Sequence, residues 1–165
     1  MKRLKKVDKE YLQSAMFGFN DALVSTTGVI VGVATGTSNK SVVILAGVVT
    51  ILVEALSMGA GQYLSSKSAH QLDKKDSFRV PIISGIIMFW SYFAAGLVPL
   101  LPILLLPISY ARNAAIVAAL FGLVILGYVK GRIVEVDPFK SALEVFIIGG
   151  IATAIGIVVG NLLAV

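Results

Sequence analysis

No cysteine occurs anywhere in the chain, which excludes disulfides, iron–sulfur clusters and thiolate metal sites. Histidine is nearly absent too, with His70 alone, so a bound metal must be held by oxygen, by that one imidazole or by methionine sulfur. Charge is scarce: Asp, Glu, Lys and Arg make up 14% of the residues against 57% hydrophobic ones, and the mean hydropathy of +0.91 lies outside the range of a soluble domain. There is no phosphate-binding loop, no histidine pair and no nucleophile–base arrangement, so nothing points to an enzyme. Nor do basic and aromatic residues interleave, and the net charge of +5 is not the footprint of a nucleic-acid partner.

What is abundant is apolar sequence in long runs. Five segments, 14–34, 42–64, 81–101, 111–129 and 142–163, approach or exceed the length that crosses a bilayer core, about 20 residues at about 1.5 Å each. They fill most of the chain. The sequence therefore predicts an all-α integral membrane protein with five transmembrane helices in a single domain, 1–165. The segment after the basic, polar first twelve residues is too long for a signal-peptide core and reads as a retained span.

Positive charge sets the orientation. Lys2, Arg3, Lys5, Lys6 and Lys9 precede the first span, Lys67, Lys74, Lys75 and Arg79 follow the second, and Lys130, Arg132 and Lys140 follow the fourth. Only Lys40 and Arg112 fall on the other side. The positive-inside rule then puts the N-terminus in the cytoplasm and Val165 outside.

The connections carry local signals. Pro99, Pro102 and Pro107 predict that the third helix ends within 97–109 in a short interfacial link. Residues 65–80, with His70, Asp73 and Asp76, read as a solvated linker. Ser141 followed by Glu144 fits a capping box, with Ser141 as N-cap of the fifth helix. Gly28, Gly32 and Gly36 recur at four-residue spacing, as do Ala152, Gly156 and Gly160, and such stripes let helix backbones approach closely in lipid. Packing within one subunit and a dimer interface both fit that spacing.

Asp21 and Glu54 lie inside apolar spans, whereas every basic residue maps to a flank or loop. Without an intramembrane cation from the protein, these carboxyls must be protonated, hydrated or cation-bound. If the loop 35–41 joins antiparallel helices, positions summing to about 76 lie level, which brings Glu54 and Met58 within about one 5.4 Å turn of Asp21. Glu54 and Met58 are four apart and share a helix face, and Asn20 can add an amide oxygen. Methionine alone is a common packing residue. Beside two carboxylates its thioether tilts preference from alkaline-earth ions toward Fe²⁺ or Mn²⁺.

The string Phe17-Gly18-Phe19-Asn20-Asp21-Ala22-Leu23-Val24-Ser25 and the string Val53-Glu54-Ala55-Leu56-Ser57-Met58-Gly59-Ala60-Gly61-Gln62-Tyr63-Leu64-Ser65 resemble the first two helices of the vacuolar iron transporter family. Pro81, Pro99-Leu100-Leu101-Pro102 and residues 140–150 with Gly156 and Gly160 resemble its later helices. The resemblance implies a parallel homodimer that moves Fe²⁺, and often also Mn²⁺, out of the cytosol in exchange for protons, along a path between subunits. By matching position Asp21, Glu54 and Met58 would line that path, with Asn20 and Gln62 as secondary candidates. Ala22 stands where the family usually has glycine and Gln62 where it has glutamate. Better-known members insert a glutamate-rich metal-binding domain between helices two and three, where this chain holds only 65–80. The expectation is a short member with no resident cofactor, whose partners are a second copy, the lipid bilayer, divalent metal ions and protons, and no nucleic acid. Its place would be the vacuolar membrane of a eukaryote or the plasma membrane of a prokaryote. The alternative is a non-transporting membrane subunit or metal-binding assembly protein that uses the glycine faces for assembly.

Overall fold

The computed structural model describes residues 6–37, 39–73 and 78–163. Among the described residues there are five helices and no strands: α1 (Lys6–Gly36), α2 (Lys40–Leu72), α3 (Arg79–Leu105), α4 (Ile108–Val134) and α5 (Pro138–Leu162). All five are long and apolar enough to span a membrane, and the chain is an integral membrane protein. The helices outrun the apolar segments at most ends. Hydropathy marks only the part inside hydrocarbon, whereas α2, with 33 residues, extends about 50 Å and carries its polar last turns beyond a core of about 30 Å.

Helix α1 is the hub and packs against all four others, while α3 also contacts α2 and α4, and α4 packs on α5. The buried positions explain the seams. In α2 they are Val43, Gly47, Ile51, Ala55 and Gly59, and in α4 Ala111, Ala115, Ala119, Leu123, Gly127 and Gly131, each four residues after the last. A four-residue repeat keeps to one helix face, and its small side chains bring backbones together where lipid offers no hydrophobic drive to associate. The opposite faces present Leu45, Leu56, Ile86, Phe121 and Ile147, all exposed on the bundle surface and suited to acyl chains. The glycine stripes of α1 and α5 meet each other within the chain: a Cβ on Gly156 would lie 2.5 Å from the Gly28 carbonyl oxygen, and one on Gly160 2.2 Å from that of Gly32.

The third helix ends within 97–109 and a short link follows, as expected, while two other local expectations are revised. Pro99 and Pro102 sit inside α3, which continues to Leu105. Missing backbone donors are tolerated where neighbouring helices support the chain, and Pro99 is fully buried. The helix stops at Leu106, which is extended (φ −107°, ψ 157°) because it precedes Pro107, whose ring disfavours a helical residue before it. The fifth helix starts earlier than a cap at Ser141 requires. Asp137 is its N-cap, accepting from the Phe139 and Lys140 backbone N–H groups at 2.9 and 3.2 Å, with Pro138 opening the first turn. Ser141 is buried in that turn, and Glu144 pairs with Lys130 at 3.4 Å. The solvated linker is also shorter than 65–80, since α2 runs to Leu72 and includes His70, and Asp73 is its C-cap; Asp76 lies outside the described residues.

Lys40, at the start of α2, donates through Nζ to the carbonyl oxygens of Leu104 and Leu106, 3.0 Å each, and so ties α2 to the C-terminal end of α3. Lys40→Ala is expected to lower stability by about 1 kcal/mol. A lowered melting temperature of the purified protein in detergent checks this.

Candidate functional site

Three helices converge at the middle of the bundle around one carboxylate. Close packing there comes from Ala22 and Ala55, both fully buried in the cluster that holds Tyr92. With methyl side chains at the seam, α1 and α2 approach closely enough for Ser25 Oγ to donate to Glu54 Oε2 at 3.0 Å. Tyr92 of α3 donates its phenolic O–H to the same Glu54 oxygen. Ser25 Oγ and Tyr92 Oη are themselves 2.6 Å apart, and Thr26 Oγ1 lies 3.5 Å from Tyr92 Oη. Tyr92 is 0% exposed, so its hydroxyl has been taken from water into this network.

Asp21, one turn before Ser25 on α1, is half-buried and near enough to Glu54 for their like charges to interact. It makes no side-chain hydrogen bond or ion pair with any described residue, and no basic side chain among them pairs with either acid. Met58, one turn beyond Glu54, is partly buried against the cluster of Ala22, Ala55 and Tyr92. Asn20 and Gln62 are half-buried, and their side chains hydrogen-bond no described residue. No group of three His, Asp or Glu side chains placed to hold a metal occurs among the described residues.

Two carboxyls with no counter-charge among the described residues can do two things inside an apolar span: take up protons or bind a cation. The Ser25–Tyr92–Glu54 contacts accommodate both. Three oxygens in mutual contact share two hydroxyl protons when Glu54 is ionised, and a proton on Glu54 supplies the third. With a cation bound, the two hydroxyls on Oε2 would hold the carboxylate's orientation, as outer partners do in metal sites. Ser25 and Tyr92 were not singled out in the sequence. The available signal for Tyr92 was its place in mid-helix, thirteen residues after Arg79, since membrane tyrosines otherwise favour the interfacial ends of spans.

Five helices long and apolar enough to span a membrane, with two carboxyls inside them, define a polytopic helical membrane protein. The particular family follows from sequence comparison: the profile of the VIT family matches residues 12–79 and 69–161, and the chain belongs to that family. The two matched stretches overlap over 69–79, from the end of α2 to the start of α3. The chain is 25% identical over an alignment 207 positions long to vacuolar iron transporter 1 of Eucalyptus grandis, covering 88% of this chain and 83% of that one. It is 27% identical over 159 residues to vacuolar iron transporter homolog 1 of Arabidopsis thaliana, covering 88% and 80%. Against vacuolar iron transporter 2 of Oryza sativa subsp. japonica, identity rises to 38% over 84 residues, half of this chain and 34% of that protein.

Proposed function

We propose that the protein moves divalent transition-metal ions, Fe²⁺ and with it Mn²⁺, out of the cytosol in exchange for protons, and is not an enzyme. The observation that carries this reading is the pair Asp21 and Glu54, within electrostatic reach of each other inside the apolar spans and without a basic partner among the described residues. Relatives named vacuolar iron transporters support iron as the cargo. In the cycle, an ion arriving from the cytosol displaces protons from Asp21 and Glu54, and Met58 favours a transition metal over magnesium or calcium. Reprotonation of the two acids on the far side weakens their hold and releases the ion. Ser25 and Tyr92 keep Glu54 oriented in both states. The metal is cargo, and no resident cofactor is involved.

The subunit is read as one half of a parallel homodimer with the N-terminus in the cytoplasm. An apolar groove of about 530 Å³, lined by Gly28, Gly32, Gly36, Val42, Gly156 and Gly160 among others, runs along the α1–α5 seam and supports pairing with a second copy there. The membrane is the vacuolar one in a eukaryote and the plasma membrane in a prokaryote.

Fe²⁺ uptake into sealed proteoliposomes under an imposed proton gradient tests the reading. Uptake is expected only with the gradient, and Mn²⁺ is expected to compete with Fe²⁺. Folded, reconstituted protein that moves neither ion would overturn it.

A further inference from the structure

A second polar cluster lies away from the mid-membrane acids, at the end of the bundle where α1 begins. Glu10 and Asp21 are eleven residues apart on α1, which is about three turns, so they share a face and are separated by about 16 Å along the axis. Ser66 of α2 and Ser84 of α3 are buried, 6% and 0% exposed, and both donate to one Glu10 oxygen, Oε1, with Ser84 Oγ at 3.4 Å. The other oxygen, Oε2, faces His70 Nε2 across 4.0 Å.

The His70 ring is fixed from its far side. Its Nδ1 lies 2.9 Å from the Ser66 carbonyl oxygen. A carbonyl only accepts, so Nδ1 carries the hydrogen, and in the neutral ring Nε2 keeps a lone pair. With the ring neutral, two electron-pair donors face each other at a separation too long for a hydrogen bond. Zinc bonds to imidazole nitrogen and carboxylate oxygen measure about 2.0–2.2 Å, so one ion can reach both donors with a small side-chain adjustment. The surroundings match what metal-binding histidines and carboxylates require: Nδ1–H on a backbone carbonyl, and the carboxylate held by hydroxyl donors. The His70 and Glu10 side chains are 16% and 20% exposed, which leaves room for water ligands.

We propose that Glu10 Oε2 and His70 Nε2 hold a divalent transition-metal ion, with water completing its coordination, as a capture site three helical turns from Asp21 on the same face of α1. An imidazole in the ligand set selects transition metals over magnesium and calcium. Binding here is independent of transport; only the description of the site as the cytoplasmic stop before the path rests on the function proposed above.

His70 is the sole histidine of the chain, so ¹⁵N-histidine labelling of the full-length, reconstituted protein, free of any polyhistidine tag, reports on this site alone. Zn²⁺ titration is expected to shift the Nε2 resonance and leave Nδ1 protonated. The same shift is expected in Asp21→Asn/Glu54→Gln, which removes the mid-membrane charges. Glu10→Gln, which is isosteric and keeps an acceptor for both serines, is expected to weaken Zn²⁺ binding at least about 100-fold, and Ser66→Ala about 10-fold. Three outcomes would overturn the proposal: no Nε2 shift with Zn²⁺, a shift unchanged in Glu10→Gln, or a shift lost in the Asp21/Glu54 variant. Because no transport is measured, a protein that binds Zn²⁺ here but moves no iron separates this proposal from the transport reading.

Discussion

Glu54→Gln is expected to reduce gradient-driven Fe²⁺ uptake by at least about 100-fold while leaving the fold intact, since even partners one shell removed from a metal alter affinity by 10–100-fold. Glutamine has the same shape and keeps an oxygen to accept from Ser25 and Tyr92, which contact Glu54 from two other helices. What it loses is the negative charge and the exchangeable proton. Tyr92→Phe is the graded companion. It removes one donor to Glu54 and leaves Ser25 in place; a hydrogen bond to a charged group contributes about 1.5–3 kcal/mol, so uptake should fall about 10–100-fold. Initial uptake rates in proteoliposomes, normalised to reconstituted protein, measure both. Native rates in Glu54→Gln would remove Glu54 from the path.

Gly160→Ala is expected to have the largest effect on stability. Its Cβ would lie 2.2 Å from the Gly32 carbonyl oxygen and 3.0 Å from the Gly32 carbonyl carbon and Thr35 Cβ. Backbone atoms of a packed helix cannot swing aside as a side-chain tip does, so α5 must move off α1. Overpacking of this kind costs about 1–3 kcal/mol and occasionally more. Gly150→Ala is the control: a Cβ there meets nothing within 4 Å, and the substitution should stabilise α5 by about 0.5–1 kcal/mol through helix propensity. Gly149→Ala falls between them, because its nearest neighbour is Cδ1 of Leu123, the tip of a flexible side chain. Thermal unfolding in detergent, followed by size-exclusion chromatography, ranks the three variants. Equal stability of Gly160→Ala and Gly150→Ala would mean that the α1–α5 contact does not hold the bundle together.

Capping shows how local signals compete. Ser141 with Glu144 and Asp137 with Pro138 are both good starts for α5, and sequence spacing does not rank them. The earlier pair prevails: Asp137 accepts two backbone N–H groups, and Pro138 occupies a first-turn position where no backbone donor is needed. Likewise Pro99 and Pro102 weaken α3 locally, yet the helix persists because α1, α2 and α4 pack around it.

The sequence by itself determined the membrane class, the five spans and the placing of Asp21 and Glu54 inside apolar runs whose basic residues map to flanks and loops. Those are properties of single segments, fixed by how long an apolar run is and which charges interrupt it. The level of the two acids was legible as well, because one short loop fixes the register of two antiparallel helices. Only the tertiary structure decided that Ser25 and Tyr92 meet at Glu54, that His70 turns toward Glu10 from within α2, and that the glycines of α1 face those of α5. Each of these depends on how far a helix is rotated about its own axis relative to its neighbours. That rotation is set jointly by the small-residue seams of several helices, and no single segment contains it.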